Sequence, residues 1–257
     1  MRKTAMKYTA KLCLNGASCA ILIFLVCLVF AAGCEPLVAQ SKTASTSAGQ
    51  TASSLEAVLN QMDAAAAQFR SAEADFTWDQ YQKVVNETDT QKGKIYFRRT
   101  SKGDTQMAAD IQAPDEKYLL YTEGKIRLYQ PKIQQVNEYD AGKNRAAAES
   151  FLVLGFGGRG HDLAQQFEVK FDGNEDVDGV KTAKLELTPK SDRVKNMFDR
   201  IIVWVDATRS VSLKQQAFEP SGDYRLCHYT NIKVNSKIPD DVFKLHTSGR
   251  TKTVKGS

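Results

Sequence analysis

Residues 151–163, FLVLGFGGRGHDL, decide the fold class, because two incompatible chain paths can be read from them. Gly155, Gly157, Gly158 and Gly160 follow an apolar run in the manner of a dinucleotide-binding fingerprint. That motif demands a strand before the glycines, a helix after them and a parallel sheet around both. The preceding NRAAAESFLVLGF, residues 144–156, is alanine-rich and reads instead as a short inserted helix with a loosely covered apolar face. Strand-like FEVKF begins at Phe167, too soon for a crossover helix. The glycines therefore read as the end of a helix and a mobile hinge, and a nucleotide-dependent enzyme is not expected.

Outward from this point the hydrophobic period is two. Upstream lie ADFTWDQYQKVV (74–85), GKIYFRRT (93–100), TQMAADIQ (105–112), KYLLYTEGKIRLYQP (117–131) and QQVNEYD (134–140). Downstream lie QFEVKFDG (166–173), TAKLELTPK (182–190), DRIIVWVDA (199–207), VSLKQQAFEP (211–220) and YRLCHYTNIKVN (224–235). They are short, rich in aromatic and β-branched residues, and separated by turn chemistry such as SKGD and EGK. Ahead of them, Ser53 and Glu56 have capping-box spacing, and Leu55, Val58, Leu59, Met62 and Phe69 recur at helical intervals. A helix from about Ser54 to Phe69 follows. The expected fold is mainly β (α+β): a strongly curved antiparallel sheet of about ten strands with helices on one side.

The N-terminus combines Arg2, Lys3, Lys7 and Lys11, an apolar middle and small residues before Cys34, the plan of a secretory signal peptide over residues 1–33. FAAGC is similar to the lipobox of bacterial lipoproteins, with Cys34 as the lipidation candidate. The polar Ser/Thr/Ala stretch that follows reads as a flexible linker over 34–53, the folded domain as 54–247, and the basic SGRTKTVKGS end as a solvated tail over 248–257. Periplasmic export, with a membrane tether if Cys34 is acylated, is the expectation. Four of the 35 basic residues precede Cys34 and none of the 30 acidic ones does, so the rest of the chain is close to neutral and no nucleic-acid partner is implied. Only Cys34 and Cys227 lie outside the signal region, so no disulfide framework is expected.

No catalytic, metal or cofactor set stands out. NEDVDG (174–179) has calcium-loop character, but its twelfth position falls on Leu185, and a charged hairpin turn fits its flanks better. His161, His228 and His246 are scattered, and Cys227 and His228, adjacent in a strand, point to opposite faces. What remains is apolar. Phe76, Trp78, Ile95, Phe97, Leu119, Tyr121, Ile126, Leu128, Val203 and Val205 alternate on successive strands and form either a filled sheet core or the lining of a hollow one.

In order and spacing, the segments AEADFTWDQ, GKIYFRRT, APDEKYLLYTEGKIRLYQP, AAAESFLVLGFGG, VDGVKTAKLELTPK, RIIVWVDATRSVSLKQQ and NIKVNSKIPDDVFKL resemble the LolA/LolB family over roughly Leu55 to Leu245. The resemblance implies an unclosed antiparallel β-barrel with helices forming a lid over a hydrophobic cavity for lipoprotein acyl chains. It implies a non-enzymatic carrier that shields those chains on the way to the outer membrane, with an inner-membrane releasing complex and an outer-membrane acceptor as partners. A membrane-tethered acceptor or an envelope sensor domain is the alternative on the same fold. The family's G-x-apolar-x-apolar-x-Arg pattern falls on Gly93, Ile95, Phe97 and Arg99, which makes Arg99 the candidate lid latch, with Thr100 where the family has proline. Phe151, Leu152, Leu154, Gly155, Phe156, Gly157 and Gly158 become the candidate lid and hinge.

Overall fold

The computed structural model describes residues 47–140, 142 and 154–256. Helix α1 (Ser47–Gln68) begins seven residues before the expected start, inside the stretch read as linker. Alanine and glutamine extend an existing helix at little cost once the first turn is nucleated. Its buried stripe is Leu59, Met62, Ala66 and Phe69, spaced three, four and three residues apart. The signal region, Cys34, the inserted helix expected over 144–156 up to Val153, and with it Phe151 and Leu152, fall outside the described residues.

Twelve strands follow: β1 (Ser71–Gln82), β2 (Glu87–Arg99), β3 (Thr105–Ala113), β4 (Lys117–Thr122), β5 (Lys125–Gln130), β6 (Gln135–Asp140), β7 (Phe167–Val177), β8 (Val180–Pro189), β9 (Arg200–Asp206), β10 (Val211–Phe218), β11 (Tyr224–Val234) and β12 (Lys252–Lys255). They form one sheet in the order β12-β6-β5-β4-β3-β2-β1-β11-β10-β9-β8-β7. All ladders are antiparallel except β12 on β6. The ends of the order, β12 and β7, do not pair with each other, so the barrel stays unclosed. Alternation sets the faces: on β1, Ala72, Ala74 and Phe76 are buried inside, while Glu73 and Asp75 outside pair with Lys233 and Lys94 at 2.6 and 2.5 Å.

Two elements differ from expectation. The basic end is not merely a solvated tail: the backbone of Lys252–Lys255 completes the sheet beside β6, and its four side chains stay exposed. Lys252 N donates to Gln134 O at 2.9 Å and Gly256 N to Glu138 O at 2.8 Å. An open β6 edge templates the strand, and the lysines discourage further pairing beyond it. After the glycines, Gly160–Gln166 forms a two-turn helix, α2, that the periodicity concealed because Leu163 is its one buried large side chain. Gly160 is required there by close approach, since a Cβ would lie 2.6 Å from both the Cα and the O of Leu59.

NEDVDG closes the β7–β8 hairpin, with Asp178 and Gly179 both at positive φ (52° and 76°), the backbone of a two-residue turn. Buried side chains gather in three clusters. One lies within the concave face, a second lies between α1, α2 and β7 to β10, and a third lies outside, where Ile238 and Phe243 cover Ala108 and Leu120.

Candidate functional site

The concave face holds a partly open apolar cavity of about 130 Å³. Its wall comes from Phe76 and Trp78 on β1, Ile95 and Phe97 on β2, Met107, Ala109 and Ile111 on β3, and Leu119 on β4. Ile201, Gln215, Ala217, Arg225, Cys227 and Tyr229 complete it from β9, β10 and β11, and Leu154 and Phe156 cover it. A dry apolar cavity of similar size, about 150 Å³, accepts benzene. A space of this size is too small for a long acyl chain.

Of the ten side chains expected in the lining, Phe76, Trp78, Ile95, Phe97 and Leu119 line the cavity. Tyr121, Ile126 and Leu128 belong to the same cluster but are packed solid, with 0%, 3% and 0% exposure. Val203 and Val205 are a correction: they sit in the second cluster, where Met62 of α1, Leu163 of α2 and Leu154 fill the space over β9. Helix side chains, invisible to strand alternation, decide which part of the face is hollow. The residues overlooked on β3 and β11 did carry a signal, because Met107, Ala109 and Ile111, and likewise Arg225, Cys227 and Tyr229, alternate. Burial pushes the Cys227 thiol up to about 12, so it remains a protonated wall group. His228, on the opposite face, meets Asp178 at 2.7 Å.

The cover, residues 154–158, lies along the start of β10. Ser212 N donates to Gly155 O (2.5 Å), Gly157 N to Ser210 O (2.8 Å), Ser210 Oγ to Gly158 O (3.0 Å) and Gln215 Nε2 to Leu154 O (2.6 Å). Phe156, 1% exposed, stacks on Phe97 at 4.4 Å and meets Tyr229 edge-on at 4.8 Å. The glycines have a packing reason distinct from hinge motion. At φ +81° and +70°, a Cβ on Gly155 would lie 2.3 Å from Ser212 Cβ, and one on Gly157 2.3 Å from the Phe69 ring.

Arg99, at the end of β2, donates from Nη1 to Ala66 O on α1 and from Nη2 to Gly157 O on the cover, each at 3.2 Å. One guanidinium thus ties helix, sheet and cover together. The neighbouring Arg98 points outward, bonded to Gln106 and Asp240 and 4.3 Å above the Phe243 ring. Of the two arginines, Arg99 is the one that contacts both α1 and residues 154–158.

His161, on α2 directly after the cover, bridges two carboxylates of α1. Its Nδ1 lies 2.7 Å from Asp63 and its Nε2 3.1 Å from Glu56. Carboxylates only accept, so both contacts are hydrogen bonds only when the ring carries both protons. The hydrogen bonds to Asp63 and then to Glu56 raise the His161 pKa above its ordinary value. Burial alone would raise the Asp63 pKa, but the His161 contacts outweigh it and lower it. A raised histidine pKa favours docking fully below the unfolded value of about 6.5 and loses that contribution as pH rises through the folded value. Amide exchange of α2 is expected to accelerate as pH is raised through this range, after correction for intrinsic exchange, and the added pH dependence is expected to vanish in His161→Gln. A pH-independent protection factor would contradict the bridge.

The sequence profile described as "Outer membrane lipoprotein carrier protein LolA" matches residues 67–246, from the end of α1 to beyond the outer cluster. The chain belongs to the LolA family. No curated protein sequence matches it. Among solved structures, MucB is similar with a TM-score of 0.51 at 14% identity, over 76% of this chain and 63% of MucB, so this LolA-family chain spans less than two thirds of that protein. An uncharacterized conserved protein from Thermus thermophilus is similar with a TM-score of 0.51 at 10% identity, over 79% and 99% of the two chains. A LolA superfamily protein from Nitrosomonas europaea has a TM-score of 0.37 at 14% identity, over 74% and 97%. At such identities the likeness to MucB and to the Thermus thermophilus protein is one of fold alone.

Proposed function

We propose that the protein is an envelope lipid-binding carrier, which takes the acyl chains of a lipoprotein under the cover and shields them between membranes without bond chemistry. The observation that carries this reading is Arg99 bonded at once to α1 and to the cover above a cavity walled almost wholly by apolar side chains. Membership of the LolA family supports it.

Magnitudes decide whether such a lid can open. Ten acyl methylenes contribute roughly 8 kcal/mol on burial. Exposing Phe156 costs about 3 kcal/mol, and a charge-assisted hydrogen bond contributes about 1.5–3 kcal/mol. Burial of ten methylenes is thus of the same order as displacing Phe156 and breaking such a bond, so acyl chains of this length can drive the cover open. An inner-membrane releasing complex and an outer-membrane acceptor are the partners of this reading, the periplasm its location, and an acylated Cys34 its tether. The small cavity favours, as second reading, an envelope sensor domain that keeps the fold and binds a protein partner.

Arg99→Leu separates the two. In a carrier it raises the affinity for an environment-sensitive hydrophobic dye by about tenfold, the value of one weak charged hydrogen bond, with Arg99→Lys intermediate. A diacylated lipopeptide displaces the dye. Unchanged dye binding in Arg99→Leu, with no lipopeptide competition, would leave the sensor reading.

A further inference from the structure

The concave face carries a polar pair at the end remote from Arg99. Gly93, Ile111 and Lys117 form one rung across β2, β3 and β4. Lys117 shares its strand face with Leu119 and Tyr121, and therefore points inward. It is 6% exposed, and among the described residues no carboxylate lies within ion-pair distance of it. The two acids whose charge it feels, Asp115 and Asp89, are engaged elsewhere: Asp115 with Lys132 at 3.0 Å and Asp89 with Gln82 Nε2 at 3.0 Å. The next inward position along β2 is Gln91, opposite Trp78 on β1, 7% exposed, with its buried Oε1 lacking a hydrogen-bond partner among the described residues.

A largely buried lysine without a counter-ion and an orphaned buried amide oxygen are both costly: the first calls for an anion, the second for a donor such as the hydroxyl of a protonated head or the Lys117 ammonium itself. We propose that Lys117 and Gln91 form a head-group site for an anionic single-chain amphiphile, a carboxylate or phosphate monoester, whose tail lies against Trp78, Ile95 and Leu119. Lys117 supplies the charge, and Gln91 accepts at its orphaned Oε1 from a protonated oxygen of the head or from the Lys117 ammonium, while its amide N–H groups donate to an unprotonated head oxygen. Gly93 and Arg99 lie six positions apart on β2, about 20 Å of strand, so head and latch lie toward opposite ends of the concave face. Burial pushes Lys117 below its ordinary value, with Asp115 and Asp89 opposing, as befits a cation whose partner arrives with the ligand. This site rests on the lipid-binding reading above and adds to it a ligand class with a free anionic end.

The test is calorimetry on the delipidated full chain with tetradecanoate, tetradecanoyl lysophosphatidate and methyl tetradecanoate below their aggregation limits. The wild-type protein is expected to favour one or both anions over the ester by at least about tenfold, and either anion supports the site. Lys117→Met is expected to abolish that preference while keeping the ester affinity, and Lys117→Arg to restore it. Gln91→Leu is expected to reduce it in part. Equal binding of anion and ester by the wild type, or a preference that survives in Lys117→Met, overturns the head-group site and leaves the cavity reading intact. Uptake of neither ester nor anion overturns both.

Discussion

Phe156→Ala lowers the unfolding free energy of the ligand-free protein by about 3–5 kcal/mol, the range for truncating a fully buried aromatic side chain. The ring is 1% exposed, stacked on Phe97 and edge-on to Tyr229, so its loss leaves an unfilled space that the curved sheet cannot collapse into. The same substitution enlarges the cavity and is expected to tighten binding of a long-chain ligand, because the guest no longer displaces the ring. Denaturant unfolding with and without a saturating lipopeptide measures both effects. Stability lost in the free protein returns in the complex if Phe156 is a plug. If ligand binding weakens in parallel with stability, Phe156 is a wall residue that contacts cargo.

Gly93→Val is the second large effect, expected to cost roughly 4 kcal/mol or more, or to prevent folding. β2 and β3 shift register between Lys92 and Gly93, and a Cβ at Gly93 would lie 2.0 Å from Asp110 O. The obstacle is backbone of the adjacent strand, which has no rotamer to move aside. Because the bulge sets the register that carries Ile95, Phe97 and Arg99 to the inner face, chains that do fold are expected to lose dye and lipopeptide binding as well. Thermal unfolding followed by circular dichroism measures the loss. A melting temperature within a few degrees of wild type would contradict the bulge geometry.

Strand alternation made the sheet legible, since the backbone pleat writes itself into the sequence with period two: TQMAADIQ and KYLLYTEGKIRLYQP fall on β3, β4 and β5 within a residue or two. Cavity and core were not separable in this way. Val203 and Val205 alternate as cleanly as Ile95 and Phe97, yet side chains from α1 and α2 fill the space above them. Which helix lies over which strand is a tertiary fact without a local signature. The same holds for β12, whose TKTVKG has strand propensity but becomes a strand through the open β6 edge. The glycines of 155–160 announced a special backbone, while their reason, flush contact with Phe69, Ser212 and Leu59, depends on partners about 50 to 100 residues away in sequence.

The central claim is that the covered apolar cavity opens to take acyl chains. Its most direct test is mass spectrometry of the intact, folded protein after incubation with a diacylated lipopeptide, alongside the deacylated peptide. The account predicts a one-to-one complex with the diacylated form alone, more abundant in Arg99→Leu. Absence of that complex in both the wild-type protein and Arg99→Leu, or equal binding of the deacylated peptide, would contradict it.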